Sequence, residues 1–77
     1  MSANIKSLAE LPIGQKCRVD SLTSSGANRR RMLDLGIIPG TEIQAVFDSP
    51  SGGVTAYLIR GAVIAIRQED AINIKIS

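Results

Sequence analysis

The sequence predicts a mainly β fold: a small, closed or nearly closed barrel of about five strands, with one short inserted α-helix and one or two single helical turns. Three observations predict it. The apolar fraction is 44% and almost wholly aliphatic, with Phe47 and Tyr57 the only aromatics. Such β-branched side chains pack well on a pleated surface. Short runs of alternating apolar and polar residues recur along the chain, and turn-forming Gly, Pro and Ser separate them. Closing a sheet of that kind removes edges that would invite aggregation.

The elements follow in order. Ser7-Leu8-Ala9-Glu10 has the spacing of a capping box, and Pro12 and Gly14 limit it to one helical turn. Leu8, Leu11 and Ile13 are expected to plug one end of the core. Residues 16–22 alternate, with Cys17 and Val19 facing one way and Lys16, Arg18 and Asp20 the other, as in a half-buried strand. The polar run 23–26 can supply an N-cap for a helix over about 26–35. Gly36 suits the left-handed position that ends a helix. Pro39-Gly40 suits the centre of a type II turn. A strand over 41–48 is expected to place Ile43, Ala45 and Phe47 on one face. After the turn-rich residues 49–53 come strands over 54–60 and 62–67, with Gly61 at a tight connection or bulge. Residues 69–71 read as one helical turn. Ile72, Ile74 and Ile76 alternate strictly with Asn73, Lys75 and Ser77, the clearest strand in the sequence.

Bulk properties bound the function. Seventy-seven residues read as one domain. The one cysteine and absent histidine exclude an internal disulfide and Cys/His zinc sites. They also remove the commonest general base. A net charge of +2 is too mild to imply nucleic acid by itself. No apolar run approaches the roughly 20 residues that span a bilayer, and the N-terminal stretch has no long apolar segment or cleavage signal. The expectation is a soluble, cytoplasmic chain.

The candidate functional residues lie in RRRMLDLGIIPG, residues 29–40. Arg29, Arg30 and Arg31 fan around a helical turn. A solvated helix face accounts for any one of them as well as a guanidinium set gripping a carboxylate or phosphate does. Asp34 meets the negative end of the helix dipole at a cost of about 0.3–1 kcal/mol. Arg30 or Arg31 stands at the right spacing to neutralise it, in a pair contributing about 0.2–0.5 kcal/mol. Leu35 and Ile37 read as core. Leu33 or Ile38, if exposed, would mark a partner surface. Cys17 reads as a buried, inert thiol. Glu69 and Asp70 decorate a turn, and Gly52-Gly53 lacks the Lys-Ser/Thr of a phosphate loop. No nucleophile, acid–base pair, cofactor site or metal-ligand cluster emerges, so an enzyme is not expected.

Arg30-Arg31-Met32-Leu33-Asp34-Leu35-Gly36-Ile37-Ile38-Pro39-Gly40-Thr41 closely resembles the FeoA family signature R-R-L-L-D-L-G-I-x-P-G-T, with Met32 at a frequent leucine position. Leu8 to Gln15 resembles the family's opening L-x-x-L-x-x-G, and Arg60-Gly61 with Ile64 to Arg67 its G-x-x-I/L-A-I/L-R. Residues 48–53 depart from its P-x-G-D-P-type loop, so no contact is assigned there. The resemblance covers nearly the whole chain and implies a single FeoA-like domain over 1–77 with an SH3-like barrel. It implies a cytoplasmic, non-enzymatic accessory of ferrous iron uptake, working at the inner membrane face through a FeoB-like permease and its GTP-binding domain. The partner-binding candidates are Arg30, Arg31, Asp34, Leu33 and Ile38, with no nucleic acid and no membrane insertion expected. The alternative is a nucleic-acid-binding or regulatory domain, since a similar barrel ends iron- and manganese-dependent repressors. The chain lacks an aromatic platform for stacking bases. Too few aromatics exist to line a groove for proline-rich peptides.

Overall fold

The alternating runs form antiparallel strands, and the Gly- and Pro-bearing segments turn between them. The computed structural model describes residues 6–77; the stretch before them, part of the leader reading, lies outside the described residues. The order is β1 (Lys6–Ser7), a 3-10 turn (Leu8–Glu10), β2 (Lys16–Leu22), α1 (Gly26–Asp34), β3 (Glu42–Asp48), β4 (Val54–Ile59), β5 (Ala62–Arg67), α2 (Gln68–Ala71) and β6 (Ile74–Ile76). The strands form one antiparallel sheet ordered β1-β6-β2-β3-β4-β5. β2 is its corner: residues 16–18 pair with β3, and Val19, Ser21 and Leu22 pair with β6. A register shift between Val19 and Ser21 bends the strand there. The sheet thereby curls over a core that includes Leu8, Ile37, Ile43, Tyr57, Ile59 and Ile74. The Tyr57 hydroxyl donates to the Leu8 carbonyl at 3.3 Å, so the one buried aromatic keeps its polar end satisfied. This is an SH3-like barrel, with β1 and β5 left as the ends of the sheet.

Three side chains lie outside the inward positions expected of them, Phe47 and Ile72 from alternation and Ile13 as a plug at one end of the core. Phe47 is 55% exposed. A bulge between Ala45 and Phe47 inserts Val46, which reverses the facing of every later residue in β3. Ile72 is exposed because it caps α2 in a helical conformation, so only Ile74 and Ile76 are strand residues facing inward. Ile13 sits exposed at the corner of a turn in which the Gln15 N–H donates to the Pro12 carbonyl at 3.1 Å. Smaller adjustments concern ends. The helix stops at Asp34, with Leu35 as its cap. Ser25 is the N-cap, yet its side chain makes no capping bond. The Glu10 carboxylate reaches back to the Ser7 N–H at 3.3 Å, as its spacing predicts.

The junction from α1 to β3 is the most constrained part of the fold. The Ile37 N–H donates to the Met32 carbonyl at 3.0 Å and the Gly36 N–H to the Leu33 carbonyl at 2.9 Å. That pair of bonds is a Schellman motif, and Met32 and Ile37 bury the apolar contact that accompanies it. Two residues on, the Thr41 N–H donates to the Ile38 carbonyl at 3.0 Å around Pro39-Gly40, the expected turn. The buried Thr41 hydroxyl donates to the Gly36 carbonyl at 3.1 Å. The Gly40 N–H donates to the Val19 carbonyl at 2.8 Å, which ties the junction to the corner strand.

Gly36 and Gly40 both carry positive φ, at +89° and +92°, but their surroundings differ. A Cβ at Gly36 would lie 2.8 Å from Arg60 Cδ, whereas Gly40 faces open space. Gly36→Ala is therefore expected to lose about 1–2 kcal/mol from backbone strain and more from displacing Arg60, and Gly40→Ala to lose only the strain. Urea denaturation of the two variants checks the order.

Candidate functional site

Helix α1 buries one residue, Met32, and so presents nearly all of its surface to solvent. Long unbranched side chains hold a helix readily, and no residue in Gly26–Asp34 is β-branched. Gly26, Arg29, Arg30, Leu33 and Asp34 recur at spacings of three and one, which places them on one helix face. Together they line a shallow depression of about 400 Å³. The structure thus gathers Arg30, Leu33 and Asp34 of the predicted set and adds Arg29. Arg31 and Ile38 are exposed but do not line the depression. Leu33 is 37% exposed and Ile38 42%.

The charges on this face stay largely unspent. Arg29 Nη1 reaches the Leu22 carbonyl at 3.5 Å. Neither Arg30 nor Arg31 comes within 4.0 Å of the Asp34 carboxylate, so the expected neutralising pair is not made. An exposed pair gains little Coulomb energy in water and costs the freedom of two long side chains. Arg29, Arg30 and Asp34 therefore remain open to groups from outside.

A second feature lies at the other end of α1. Arg60 is the one described non-glycine residue with positive φ, at +51°. It opens the two-residue turn Arg60-Gly61 that closes the pair Ile59–Ala62. Such turns need positive φ at both positions and usually carry Asn, Asp or Gly at the first. The Arg60 stem crosses Gly36, which brings its guanidinium to the negative end of the α1 dipole. With Lys16, Thr41, Glu42, Gln44, Leu58 and Gly61 it lines a cleft of about 330 Å³. Lys16 pairs with Glu42 at 3.5 Å on the exposed side of β2 and β3. Sequence reasoning did not place Arg60 in a site. The available signal was an arginine before glycine at a hairpin tip, where a smaller residue is usual.

Among the described residues no group of three or more His, Cys, Asp or Glu is placed to hold a metal ion. No helix among them is long and apolar enough to cross a membrane. Cys17 is half-buried, and burial pushes its thiol up to about 11. Asp70, expected on a turn, is buried and held 3.6 Å from Arg67.

An SH3-like barrel carrying an arginine-lined helix between its first long strands is the class this geometry defines. Residues 6–77 match the FeoA domain, and the chain belongs to that family. It is similar to the FeoA-like protein of Clostridium acetobutylicum, with 29% identity over 99% of this chain and 88% of that one, at a TM-score of 0.88. The FeoA protein of Chlorobium tepidum is 28% identical over 91% and 67% of the two chains, at a TM-score of 0.84. Stenotrophomonas maltophilia FeoA was solved with zinc and is described as a prokaryotic SH3 domain protein with a suggested role as a ferrous iron transport activating factor. It is 25% identical over 92% and 88%, at a TM-score of 0.82. A manganese-dependent transcriptional repressor shares the fold alone, at 14% identity over 99% and 42% and a TM-score of 0.87. A search of curated proteins returned no match.

The raised Cys17 thiol gives a signed pH dependence. Between its unfolded value near 9.0 and its folded value of about 11, the native state binds the proton more tightly. Stability contributed by this thiol is present below pH 9 and declines through that window. At pH 8, iodoacetamide should label native Cys17 far more slowly than Cys17 in urea; equal rates would show that the thiol is not sheltered.

Proposed function

We propose that this protein is a non-enzymatic accessory of ferrous iron uptake that binds, and regulates, the cytoplasmic GTP-binding domain of a FeoB-like permease. Membership of the FeoA family and the role suggested for the S. maltophilia relative support the iron-uptake setting. The observation that carries the binding role is the α1 face, where Arg29, Arg30 and Asp34 keep their charges beside the exposed Leu33. An apolar residue flanked by unpaired charges of both signs suits a protein surface, because burial of Leu33 supplies affinity and the charges fix orientation. Arginine presents a planar fork that grips carboxylate or phosphate by two bonds at once. An arginine supplied from outside can also stabilise the charge that develops in phosphoryl transfer. We assign that role to Arg29 and Arg30, which line the depression; Arg31 and Ile38 are exposed outside it.

The test is titration calorimetry with the permease's GTP-binding domain, alongside iron uptake in cells lacking this protein. Arg29→Glu with Arg30→Glu is expected to weaken binding at least about tenfold and to abolish rescue of uptake. Arg31→Glu, off the lined face, should change affinity by less than about threefold. Full affinity in the Arg29/Arg30 variant would remove the face from the account, and GTP hydrolysis unaltered by the protein would remove its regulatory half.

A further inference from the structure

The cleft beside the β4–β5 turn carries a charge that the fold does not use. It measures about 330 Å³, inside the roughly 300–1,000 Å³ range of sites that hold small groups. Two cations, Lys16 and Arg60, and one carboxylate, Glu42, line it. Lys16 lies 3.5 Å from Glu42, in an exposed pair that contributes little and exchanges readily. Arg60 comes within 4.0 Å of no carboxylate among the described residues. The arginines that donate side-chain hydrogen bonds there are Arg18 and Arg29, so the Arg60 guanidinium is unspent. Its backbone makes that arrangement costly. Arg60 holds φ at +51° in a turn that asparagine, aspartate or glycine would fill with less strain. The gain from lying near the α1 terminus is smaller than that strain.

The rest of the cleft grades from polar to apolar. Gln44, Leu58 and Val63 form one cross-strand row over β3, β4 and β5. Gln44 Nε2 donates to the Gly14 carbonyl at 3.3 Å, which leaves its Oε1 to accept an N–H. The Thr41 hydroxyl is taken up by the Gly36 carbonyl and donates nothing to the cleft. Leu58 lines the cleft and is 37% exposed; Val63, next in the row, is 60% exposed.

We propose that this cleft binds a carboxylate carried on a peptide segment of a partner protein. A glutamate or aspartate side chain of that segment enters beside Arg60, whose planar fork grips it by two hydrogen bonds, with Lys16 as the second cation. The apolar residue next to it in the segment covers Leu58 and Val63, and a segment N–H meets Gln44 Oε1. Charge selects a carboxylate over a phosphate. Two cations against one carboxylate leave a single net positive charge, which one carboxylate neutralises. A phosphate brings a charge of about −1.5 to −2 and meets Glu42 as a like charge. The apolar row selects a peptide over a free anion, since acetate has too little apolar surface to cover Leu58 and Val63. The cleft shares no lining residue with the α1 depression, so the proposal stands apart from the reading of that face.

The experiment is a chemical-shift titration of the whole labelled chain with a terminally blocked Gly-Leu-Glu-Leu-Gly peptide, to about 10 mM at low salt. Saturable shifts are expected at Gln44, Leu58, Arg60, Gly61 and Val63, with a Kd of about 1 mM. The same peptide with glutamine in place of glutamate, the same peptide with phosphoserine there, inorganic phosphate and acetate should each bind at least about fivefold more weakly. Arg60→Asn, a residue the turn prefers, should weaken binding at least about tenfold yet unfold at a urea concentration no lower than wild type. That split separates a binding role from a structural one. Lys75→Gln, which removes an equal charge outside the cleft, should bind as wild type does. Shifts that do not saturate, a glutamine peptide that binds equally well, or an Arg60→Asn variant with full affinity overturns the proposal. So does tighter binding of phosphate or of the phosphoserine peptide, which would assign the cleft to a phosphate, and so do shifts confined to α1. No permease domain takes part, so the cleft and the α1 face can fail separately.

Discussion

The carbonyl of Gly36 is the point on which the other parts of the site depend. It lies just past the end of α1 and accepts the hydroxyl of the buried Thr41 at the start of β3. Around it the chain must stop a helix, reverse, and enter a strand within seven residues. The Schellman bonds consume the last helical carbonyls, and Ile37 carries the chain into the core. Positive φ at Gly36 makes the reversal possible, and the absence of a Cβ leaves room for the Arg60 stem. One glycine thus serves helix termination, core entry and the close approach of a second hairpin.

That junction explains how so polar a helix is held. α1 buries only Met32, far less than the apolar stripe of a typical surface helix. Its anchoring comes from its C-terminal end, where Met32, Leu35 and Ile37 meet the core and Gly40 is tied to Val19. A helix fixed at one end can afford to leave its remaining faces polar. The arginines are therefore presented by a rigid element without being engaged by it. The same end gathers the countercharge: Arg60, held at positive φ, faces the helix terminus that Asp34 makes more negative. A backbone cost at Arg60 coincides with an electrostatic gain at α1.

Local signals in the sequence were enough for most of this architecture. Gly36, Pro39 and Gly40 read correctly because each answers to its own backbone geometry, and β2 and β5 have the bounds that alternation gave them. Phe47 and Ile72 misled for one shared reason. Alternation assumes an unbroken strand, and a bulge at Val46 or a helical cap at Ile72 resets the phase without altering composition. The sheet edge at β5 was likewise invisible, since pairing partners are a property of topology. In the site, helical spacing placed Arg30, Leu33 and Asp34 together, and the same spacing could have added Arg29 and set Arg31 apart. Arg30–Asp34 failed as a pair because spacing permits a contact that water makes worthless. Arg60 reaches Gly36 across twenty-four positions of sequence, which no local rule detects.

Those particulars support one proposal: that the α1 face, held from its C-terminal end, is the surface through which this FeoA-family protein binds a partner. The most direct measurement is an amide chemical-shift map of the labelled protein titrated with the permease's GTP-binding domain. The account predicts shifts concentrated at Gly26, Arg29, Arg30, Leu33 and Asp34, fading toward β1 and β6. Shifts confined to the β5 edge or to the 49–53 turn, with α1 unmoved, would contradict it.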